Sequence, residues 1–395
     1  MKNQFKFLFA FLFAISLIGS VSALTSITNC TDLQAINDNL AEDYILANDI
    51  DCSDTINWND GVGFISLGDY DLVTPFNGTL DGQGYSIYDL YINSSEDHVG
   101  MFEWVQSPAI IKNVHLINAE VWGSESNTGG LVGYLESGSV FNSSVIGNIY
   151  GTGRAGGLIG FAPAGSFIES CYFKGNVSAD FQVGGLVAVI GGNEILNSYA
   201  IANLNSTMEF GGEVGGIVVY SFAGDGLGGN ITTSYAVSQF YSLFDEDPQG
   251  LMRGESGEGR CNNAYWDKQY SGINISFCGE GKTTTEMKLS ATFVNWDFEH
   301  IWGINETYTY PCLLWEDDCV RISVIPSPEP EPSGQFSETG QVIYDILDSS
   351  GAGLGLFFTF MGLSLPLLLI GLMLVALVIV IAVGIFKSLK LWRER

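Results

Sequence analysis

Gly129-Gly130-Leu131-Val132-Gly133 is the first clear copy of a stretch that returns three more times along the chain. The later copies are Gly156-Gly157-Leu158-Ile159-Gly160, Gly184-Gly185-Leu186-Val187-Ala188 and Gly215-Gly216-Ile217-Val218-Val219. The first glycines of successive copies are 27, 28 and 31 residues apart. A repeat of this length is typical of solenoids, whose units are too small to bury an apolar face alone and must stack.

A second apolar landmark keeps loose step with the glycines. It begins at Ile111, Phe141, Ile168, Ile195 and Ile231. Short apolar stretches alternate with Gly, Asn or Ser, and no stretch has a sustained helical period. The sequence therefore predicts an all-β fold, a parallel β-helix of about six coils with roughly three short strands in each repeat. We expect the second landmark and residues Leu131, Leu158, Leu186 and Ile217 to stack inside, and the paired glycines to form tight corners or close contacts between coils.

Both ends of the chain have the features of export and membrane anchoring. Residues 1–23 combine two lysines, an apolar run and a small-residue cleavage site at Val21-Ser22-Ala23, which predicts a signal peptide. No charged residue occurs in residues 351–386, and the residues 387–395 that follow are basic. This pattern predicts a single-pass protein of the cell membrane, with the N-terminal domain outside the cell and the C-terminal tail in the cytoplasm.

The composition divides the intervening chain into four parts. They are an N-terminal cap with the first coils (24–102), the repeats (103–260), an aromatic and disulfide-linked C-terminal cap (261–320) and a Pro/Glu-rich stalk (321–350). In the first part, Thr31 is placed to cap a short helix, and Leu33, Ile36 and Leu40 share one helical face. Such a helix would cover the open edge of the first coil.

All seven cysteines lie in the part predicted to be exported, where disulfides form. Local spacing suggests three pairs, Cys30 with Cys52, Cys261 with Cys278 and Cys312 with Cys319. Cys171 is left over and aligns with serines of other repeats, Ser144, Ser198 and Ser234, which predicts a buried small residue. The same part contains nine candidate glycosylation sites. They are Asn29, Asn77, Asn93, Asn142, Asn176, Asn205, Asn230, Asn274 and Asn305.

These features resemble the GLUG-motif proteins, a family named for a Gly-Leu-any-Gly core. In this chain the core is Gly130-Leu131-Val132-Gly133 and Gly157-Leu158-Ile159-Gly160. The segments 76–84 and 265–311 are similar to those that flank the family's repeats, so the resemblance covers residues 28–315. It implies a right-handed parallel β-helix in a bacterial or archaeal surface protein, often adhesin-like. Ala188 and Val219 depart from the core pattern, from which we expect irregular last coils.

The net charge and the absence of known catalytic motifs restrict the ligands and reactions that the sequence predicts. The chain has 15 basic and 44 acidic residues, a net charge of −29, and such a surface repels nucleic acid and polyanionic glycans. The three histidines, His98, His115 and His300, form no His-Glu-x-x-His motif, so we expect no zinc protease site. Gly281-Lys282-Thr283 is half of a phosphate-binding loop, and we predict an ordinary loop there.

Calcium is the one cofactor that the sequence leaves open. The acidic loops 49–54 and 245–247 could bind it, but neither has the spacing of a known calcium loop, and solvated loops are the simpler interpretation. A glycosidase would need two facing carboxylates. Candidates are Asp49, Asp51, Asp69, Asp71, Glu169, Asp180, Glu194, Glu209 and Glu213. A lyase for acidic sugars would need basic groups, but Lys112, Arg154 and Lys174 occupy unmatched positions, and we predict that Arg154 is a solvated corner residue.

The anchor, stalk and repeats predict a cell-surface protein that is not an enzyme. We expect adhesion to, or recognition of, a glycan or protein ligand on another surface through a flank of the β-helix. Residues between the landmarks, such as 122–128 or 204–210, would supply the contacts. Two alternatives stay open: a passive component of an S-layer or viral envelope, and a polysaccharide lyase or glycosidase.

Overall fold

The chain winds into a parallel β-helix. The computed structural model describes residues 24–316 and 319, apart from residues 164, 209–211, 222–227, 242–247 and 255–259. Five coils in this part each contribute one strand to all four of the parallel sheets that run along the solenoid, and incomplete coils flank them. The prediction of three strands in each repeat is therefore wrong. The glycine stretch bends the chain between two separate strands, so each coil has four.

We number the sheets in the order in which one coil passes through them. Sheet 1 contains His98–Val99, Asn127–Gly129, Arg154–Gly156, Gln182–Gly184 and Glu213–Gly215. Sheet 2 contains Phe102–Val105, Val132–Leu135, Ile159–Ala162, Val187–Ile190 and Val218–Ser221. Sheet 3 contains Thr25–Ile27, Tyr44–Leu46, Thr79–Asp81, Ile110–Lys112, Gly138–Phe141, Ser166–Glu169, Glu194–Leu196, Asn230–Thr232 and Arg260–Asn262. Sheet 4 contains Ile50–Asp51, Ser86–Tyr88, Tyr91–Ser94, His115–Gly123, Ser144–Gly151, Tyr172–Ala179, Tyr199–Ser206, Tyr235–Phe240, Tyr265–Asp267 and Glu280–Lys282. Trp302–Gly303 and Cys312–Leu313 form a small antiparallel pair.

Helical structure in the described residues is confined to short segments. The α-helices are Cys30–Gln34 and Lys268–Ser271, and the 3₁₀ turns are Ala35–Asp38, Ser53–Asn57, Asn59–Gly61, Glu286–Lys288 and Ser290–Thr292. The first helix lies where the sequence predicts one, but its cap is Asn29 rather than Thr31. Oδ1 of Asn29 accepts a hydrogen bond from the backbone N–H of Asp32 at 2.9 Å. Leu33 and Ile36 are fully buried and extend the core of the coils.

The paired glycines place the backbones of sheets 1 and 2 in direct contact. A Cβ at Gly156 would lie 2.0 Å from the carbonyl oxygen of Ile159 and 2.7 Å from the backbone N of Ala188. A Cβ at Gly160 would lie 2.8 Å from the carbonyl oxygen of Gly133. Because no side-chain carbon fits at these distances, the corner requires glycine, as the sequence predicted.

The core ladder that follows the glycines has the predicted composition. Leu131, Leu158, Leu186 and Ile217 are all fully buried. The backbone N–H of each donates to the carbonyl of the next, at 3.0 Å from Leu131 to Leu158 and 2.8 Å from Leu158 to Leu186. Sheets 1 and 2 continue through Gly215 and Val218, so the irregular coils expected at Ala188 and Val219 do not occur there. The first glycine and the leucine or isoleucine define the corner. The last position has no room for a side chain at Gly160 but holds Ala188 and Val219 in the later coils.

The second landmark needs a correction of one residue. Val140, not Phe141, pairs with Ile111 and Ile168 and is fully buried, whereas Phe141 is half-buried. The corner that follows identifies the inward residue: Asn142, which has a left-handed backbone with φ of 43°, lies two residues after Val140. Equivalent left-handed residues occur at this corner in the other coils, at Asn113, Ser170, Asn197, Thr233 and Asn263. Asparagine tolerates this conformation well, and the corner sets which residue faces inward.

The same shift changes the partners of Cys171. It corresponds to Ser143 and Ser198 rather than to Ser144, and its backbone N–H donates to Oγ of Ser198 at 3.1 Å. The side chain is fully buried, as predicted, and burial raises the pKa of its thiol to about 12. The thiol is therefore a core group rather than a nucleophile. The three predicted disulfides are all present, linking Cys30 to Cys52, Cys261 to Cys278 and Cys312 to Cys319.

The C-terminal aromatic segment lies along a flank of the solenoid instead of forming the compact end cap that the sequence predicted. Residues 283–316, here called the C-terminal strap, cover the outer face of sheet 4. On that face Tyr172, Tyr199 and Tyr235 form a ladder of stacked rings, with centroids 5.0 and 4.9 Å apart. Trp302 of the strap packs on Tyr199 and Tyr235. The tyrosines stand in register on adjacent parallel strands, so they offer a continuous apolar surface that one segment can cover.

The end of the strap is fixed by aromatic stacking and by a carboxylate. Trp315 stacks on His115 and on Tyr172, with ring centroids 4.7 and 5.4 Å apart. The carboxylate of Glu316 accepts from the Tyr199 hydroxyl at 2.8 Å and from Nζ of Lys174 at 2.7 Å. The strap therefore reaches back to the strand that begins at His115, several coils from where it starts.

Several predicted segments lie outside the described residues. These are the signal peptide (1–23), the stalk (321–350), the transmembrane segment (351–386) and the basic tail (387–395). Among the described residues, no helix has both the length and the apolar character needed to cross a bilayer.

The glycine corner generates a test of the fold. Gly156→Ala should destabilise the protein by about 3 kcal/mol, because the added carbon overlaps backbone atoms of two coils. Gly84→Ala is the matched control: Gly84 has φ of +84° and no heavy atom near its missing Cβ, so only backbone strain of about 1–2 kcal/mol applies. Urea unfolding measures both values. Equal destabilisation by the two substitutions would contradict the proposed role of the corner.

Candidate functional site

A ladder of hydrogen-bonded polar side chains runs along the outer face of sheet 1. His98, Asn127, Arg154, Gln182 and Glu213 occupy the same register position on five successive strands. Nδ2 of Asn127 lies 3.0 Å from Nδ1 of His98. Arg154 donates to Asn127 and Gln182, and Nε2 of Gln182 donates to Oε2 of Glu213 at 2.6 Å. We call these five residues the polar ladder.

A second ladder of mostly aromatic side chains runs beside it on sheet 2. Trp104, Tyr134, Phe161, Val189 and Tyr220 share one register position, and we call them the aromatic ladder. The rings of Tyr134 and Phe161 stack at 5.6 Å with only 12° between their planes. Nε1 of Trp104 donates to Glu136 at 2.9 Å.

The two ladders converge over the glycine corner. The rings of His98 and Tyr134 have centroids 4.8 Å apart, and the guanidinium carbon of Arg154 lies 5.6 Å from the ring centroid of Phe161. Outward side chains on two different sheets can approach in this way only if the corner between the sheets is concave towards the solvent. The corner glycines therefore form the floor of a groove whose walls are the polar and aromatic ladders, and this groove is the candidate functional site.

A loop closes over the N-terminal end of the groove. The ring of Tyr70 contacts His98 at 4.7 Å, Trp104 at 5.3 Å and Tyr134 at 5.5 Å. Its backbone N–H donates to Oε1 of Glu103 at 2.9 Å. Tyr70 itself is 41% exposed, so it forms part of the surface that a ligand would meet.

Burial shifts both ionisable groups at this end towards their neutral forms. Burial is the main reason that the pKa of Glu103, whose side chain is only 7% exposed, is raised to about 7. The hydrogen bond from the Tyr70 backbone opposes the rise, and the charges of Asp69, Glu96 and Asp71 add to it. Burial lowers the pKa of His98, although the charge of Asp97 opposes the shift. A neutral imidazole accepts at Nδ1, which matches the amide donor of Asn127.

Sequence reasoning placed only part of this site. The residue ranges 122–128 and 204–210 were expected to bind; Asn127 does belong to the polar ladder, but Trp122 stacks on Tyr150 on sheet 4 at 3.8 Å, and Leu204 is buried in the core. Arg154 was expected to be a solvated corner residue. That prediction is wrong, because Arg154 is half-buried and held by neighbouring side chains on both sides.

A signal for the groove is present in the sequence. Each full copy of the glycine stretch has a polar ladder residue two positions before its first glycine and an aromatic ladder residue five positions after it. The pairs are Asn127 and Tyr134, Arg154 and Phe161, Gln182 and Val189, and Glu213 and Tyr220. Polar residues differ from copy to copy, so they do not stand out as a motif unless the copies are aligned on the glycine.

The candidate carboxylates do not form one cluster. Asp69 and Asp71 lie near Glu103, and Glu213 lies at the other end of the polar ladder and 3.7 Å from Arg253. Asp49 and Asp51 accept hydrogen bonds from the backbone of Ser86 and Ser53. Glu169 and Glu194 lie on sheet 3, Asp180 follows a sheet 4 strand, and Glu209 is outside the described residues. Within the described residues no group of three or more His, Cys, Asp or Glu side chains could hold a metal ion, and loop 245–247 lies outside them.

The other singled-out residues lie away from the groove. Lys112 pairs with Asp81 at 3.0 Å, and the Gly281-Lys282-Thr283 segment belongs to the last strand of sheet 4 and the turn after it rather than to a phosphate-binding loop. Among the candidate glycosylation sites, the exposed ones are Asn29, Asn93, Asn176, Asn274 and Asn305, and the half-buried ones are Asn77, Asn142, Asn205 and Asn230. None of the nine belongs to either ladder, so a glycan attached at them would not modify a groove residue.

Residues 124–150, which include Asn127, the first glycine corner and Tyr134, match the family described as the GLUG motif. This segment therefore carries a GLUG motif. The predicted resemblance is thus confirmed, and the repeats build a parallel β-helix.

Two curated relatives are similar over about a third of the chain. Halomucin of Haloquadratum walsbyi is 39% identical over 132 residues, which are 31% of this chain and 1% of halomucin. A candidate Gly-rich membrane protein of Evansella cellulosilytica is 30% identical over 148 residues, 35% of this chain and 16% of that protein. The matched region is thus a small part of each relative.

A solved structure shares the fold. The crystal structure of a candidate immunoglobulin A1 protease from Bacteroides ovatus superposes with a TM-score of 0.58 at 21% identity, covering 76% of this chain and 94% of that one. At this level of identity the likeness extends to the fold alone.

The electrostatics of Glu103 give a testable pH dependence. Its pKa is about 7 in the folded protein, against an ordinary value of 4.5, so the folded state binds the extra proton and stability falls as the pH rises from 4.5 to 7. Glu103→Gln removes the charge and keeps the acceptor for Tyr70. The free energy of unfolding of the variant should therefore exceed that of the wild type by an amount that grows over this range, to on the order of 2 kcal/mol at pH 8. A difference that is the same at pH 4 and pH 8 would refute the assignment.

Proposed function

We propose that this protein is anchored in the cell membrane and recognises a glycan on another surface through the groove between sheets 1 and 2. The observation that carries the proposal is the pairing of the polar and aromatic ladders along five successive coils. Adjacent strands are about 4.8 Å apart, so the ladders extend for roughly 19 Å. A groove of this length suits an extended polymer better than a small metabolite.

The chemistry of the two walls favours sugars. Asn127 and Gln182 are buried, whereas Arg154 and Glu213 are half-buried. The guanidinium and the carboxylate of the polar ladder can therefore bond hydroxyl groups, which are both donors and acceptors. The apolar face of a sugar ring packs on an aromatic ring, and Tyr134 and Phe161 contribute two nearly parallel, stacked rings from adjacent coils. Binding sites generally combine such apolar surfaces with a few fixed polar groups.

Location at the cell surface is supported from two sides. The sequence has the pattern of a signal peptide at residues 1–23 and of a membrane span at residues 351–386. The relatives include one named as a Gly-rich membrane protein and one named halomucin. The topology that we propose is a single pass, with the solenoid outside and the basic tail inside the cell.

A second candidate function is hydrolysis of the bound glycan. It is favoured by Glu103, a buried carboxyl beside Tyr70 and Trp104 whose pKa of about 7 suits a general acid. Asp69, Asp71 and Glu96 are close enough to influence that pKa and would be the possible second carboxylates. Release of reducing sugar from a bound glycan, abolished by Glu103→Gln, would establish this activity. Binding without release supports recognition alone.

The test of recognition uses the full chain in detergent on an array of microbial and host glycans. Tyr134→Ala should weaken binding to the best glycan at least tenfold, because the groove loses one aromatic wall. Tyr150→Ala is the matched control: Tyr150 is also an outward, ring-stacked tyrosine, but it lies on sheet 4 against Trp122. The control should bind as the wild type does.

Two outcomes would reject the proposal. One is the absence of binding to any glycan on the array. The other is equal loss in Tyr134→Ala and Tyr150→Ala, which would indicate binding elsewhere. If deletion of the protein changed envelope integrity and left attachment to other surfaces intact, a passive role in the envelope would replace the proposed role in recognition.

A further inference from the structure

Arg154 stands at the centre of the polar ladder, where two neutral amides fix its orientation. Nε donates to Oε1 of Gln182 at 2.7 Å, and Nη1 donates to Oδ1 of Asn127 at 3.2 Å. The guanidinium also lies 5.6 Å from the ring centroid of Phe161. Arginine has five N–H donors, so these two bonds leave donors at Nη1 and Nη2. A flexible side chain has thus been given one orientation by residues on both neighbouring coils.

Arg154 makes no ion pair with a carboxylate among the described residues, although acidic residues are abundant. The chain has 44 acidic and 15 basic residues. Other cations do find carboxylates: Lys112 pairs with Asp81, Lys174 with Glu316 and Lys282 with Glu280. Glu213 is the acid whose charge reaches Arg154, but Gln182 stands between them, and Glu213 lies against Arg253. The polar ladder therefore holds acids away from Arg154.

Burial makes this arrangement costly for the protein on its own. Removal of water from the guanidinium lowers its pKa from the ordinary value, which the charge of Glu213 only partly offsets. A partly desolvated cation is stabilised most by a carboxylate that makes two parallel hydrogen bonds to it. The neighbours that hold Arg154 are neutral amides, so no carboxylate of the described residues makes such a pair with it.

We propose that Arg154 binds the carboxylate of an acidic sugar, with the rest of that sugar against the aromatic ladder. This inference rests on the proposed glycan recognition and specifies its ligand class. The net charge of −29 repels polymers that carry a carboxylate on every unit. The ligand is therefore a mostly neutral glycan with an isolated sugar acid, such as a terminal uronic or sialic acid.

The test compares acidic and neutral glycans on the same array, with the full chain in detergent. The array includes glycans with one terminal glucuronic or sialic acid, their carboxyl-reduced counterparts and neutral glycans. We expect at least tenfold tighter binding to the acidic form than to its reduced form. Arg154→Gln should remove this preference, whereas Arg154→Lys should keep part of it, since lysine has the charge without the fork of donors.

Lys112→Gln is the matched control, because it removes a cation from sheet 3 and should leave the preference unchanged. A thermal melt of each variant checks that it is folded. Equal binding of acidic and reduced glycans by the wild type overturns the inference and leaves glycan recognition standing. So does a preference that survives in Arg154→Gln. Absence of binding to every glycan overturns both proposals.

Discussion

Backbone contact between sheets 1 and 2 at the glycine corner determines both the inside and the outside of the solenoid. At Gly156 and Gly160 there is no room for a side-chain carbon, so the two sheets bend sharply towards each other. On the inner side, the bend directs Leu158 and its equivalents into the core, where they are fully buried. On the outer side, it brings the polar ladder against the aromatic ladder, as the contact between Arg154 and Phe161 shows. The motif that builds the scaffold therefore also positions the groove, although its glycines carry no binding group of their own.

Besides the aromatic ladder of sheet 2, the protein has a stack of tyrosines on sheet 4, and the surroundings of the two distinguish their roles. On sheet 4, Tyr199 and Tyr235 are almost completely buried because the C-terminal strap covers them. Their hydroxyls donate to groups of the strap, Glu316 and the carbonyl of Pro311. On sheet 2, Tyr134 and Phe161 remain half-buried. The tyrosine stack on sheet 4 is thus covered by the chain itself. It shows that a surface of stacked rings in parallel register can accept a linear partner.

The sequence was sufficient to predict the repeats, the parallel β-helix, the core positions after the glycines and the three disulfides, since each depends on local spacing. It failed where the answer depends on contacts between distant residues. No local feature of the sequence indicates that Trp302 packs on Tyr199, which precedes it by about the length of four coils. The prediction of a compact end cap therefore missed the position of the strap. The error at Phe141 has a smaller cause, because the coils align on the left-handed corner, which is not visible in the sequence: Asn142 follows Val140 by two residues as Asn113 follows Ile111. The groove was missed because its residues are constant in position and variable in type.

Partial burial in the groove acts in opposite ways on the two ionisable groups that distinguish it. Glu103 can avoid the cost of a desolvated charge by taking up a proton, and its pKa of about 7 is the result. Arg154 cannot do the equivalent, because a guanidinium keeps its proton at any physiological pH. The side-chain amides of Gln182 and Asn127, which accept its hydrogen bonds, supply dipoles but no opposite charge. The groove thus joins a carboxyl that can be neutral, at one end, to an uncompensated cation in the middle. Such a pattern of charge has a direction along the solenoid, and a polymer that binds through it would therefore lie in one orientation.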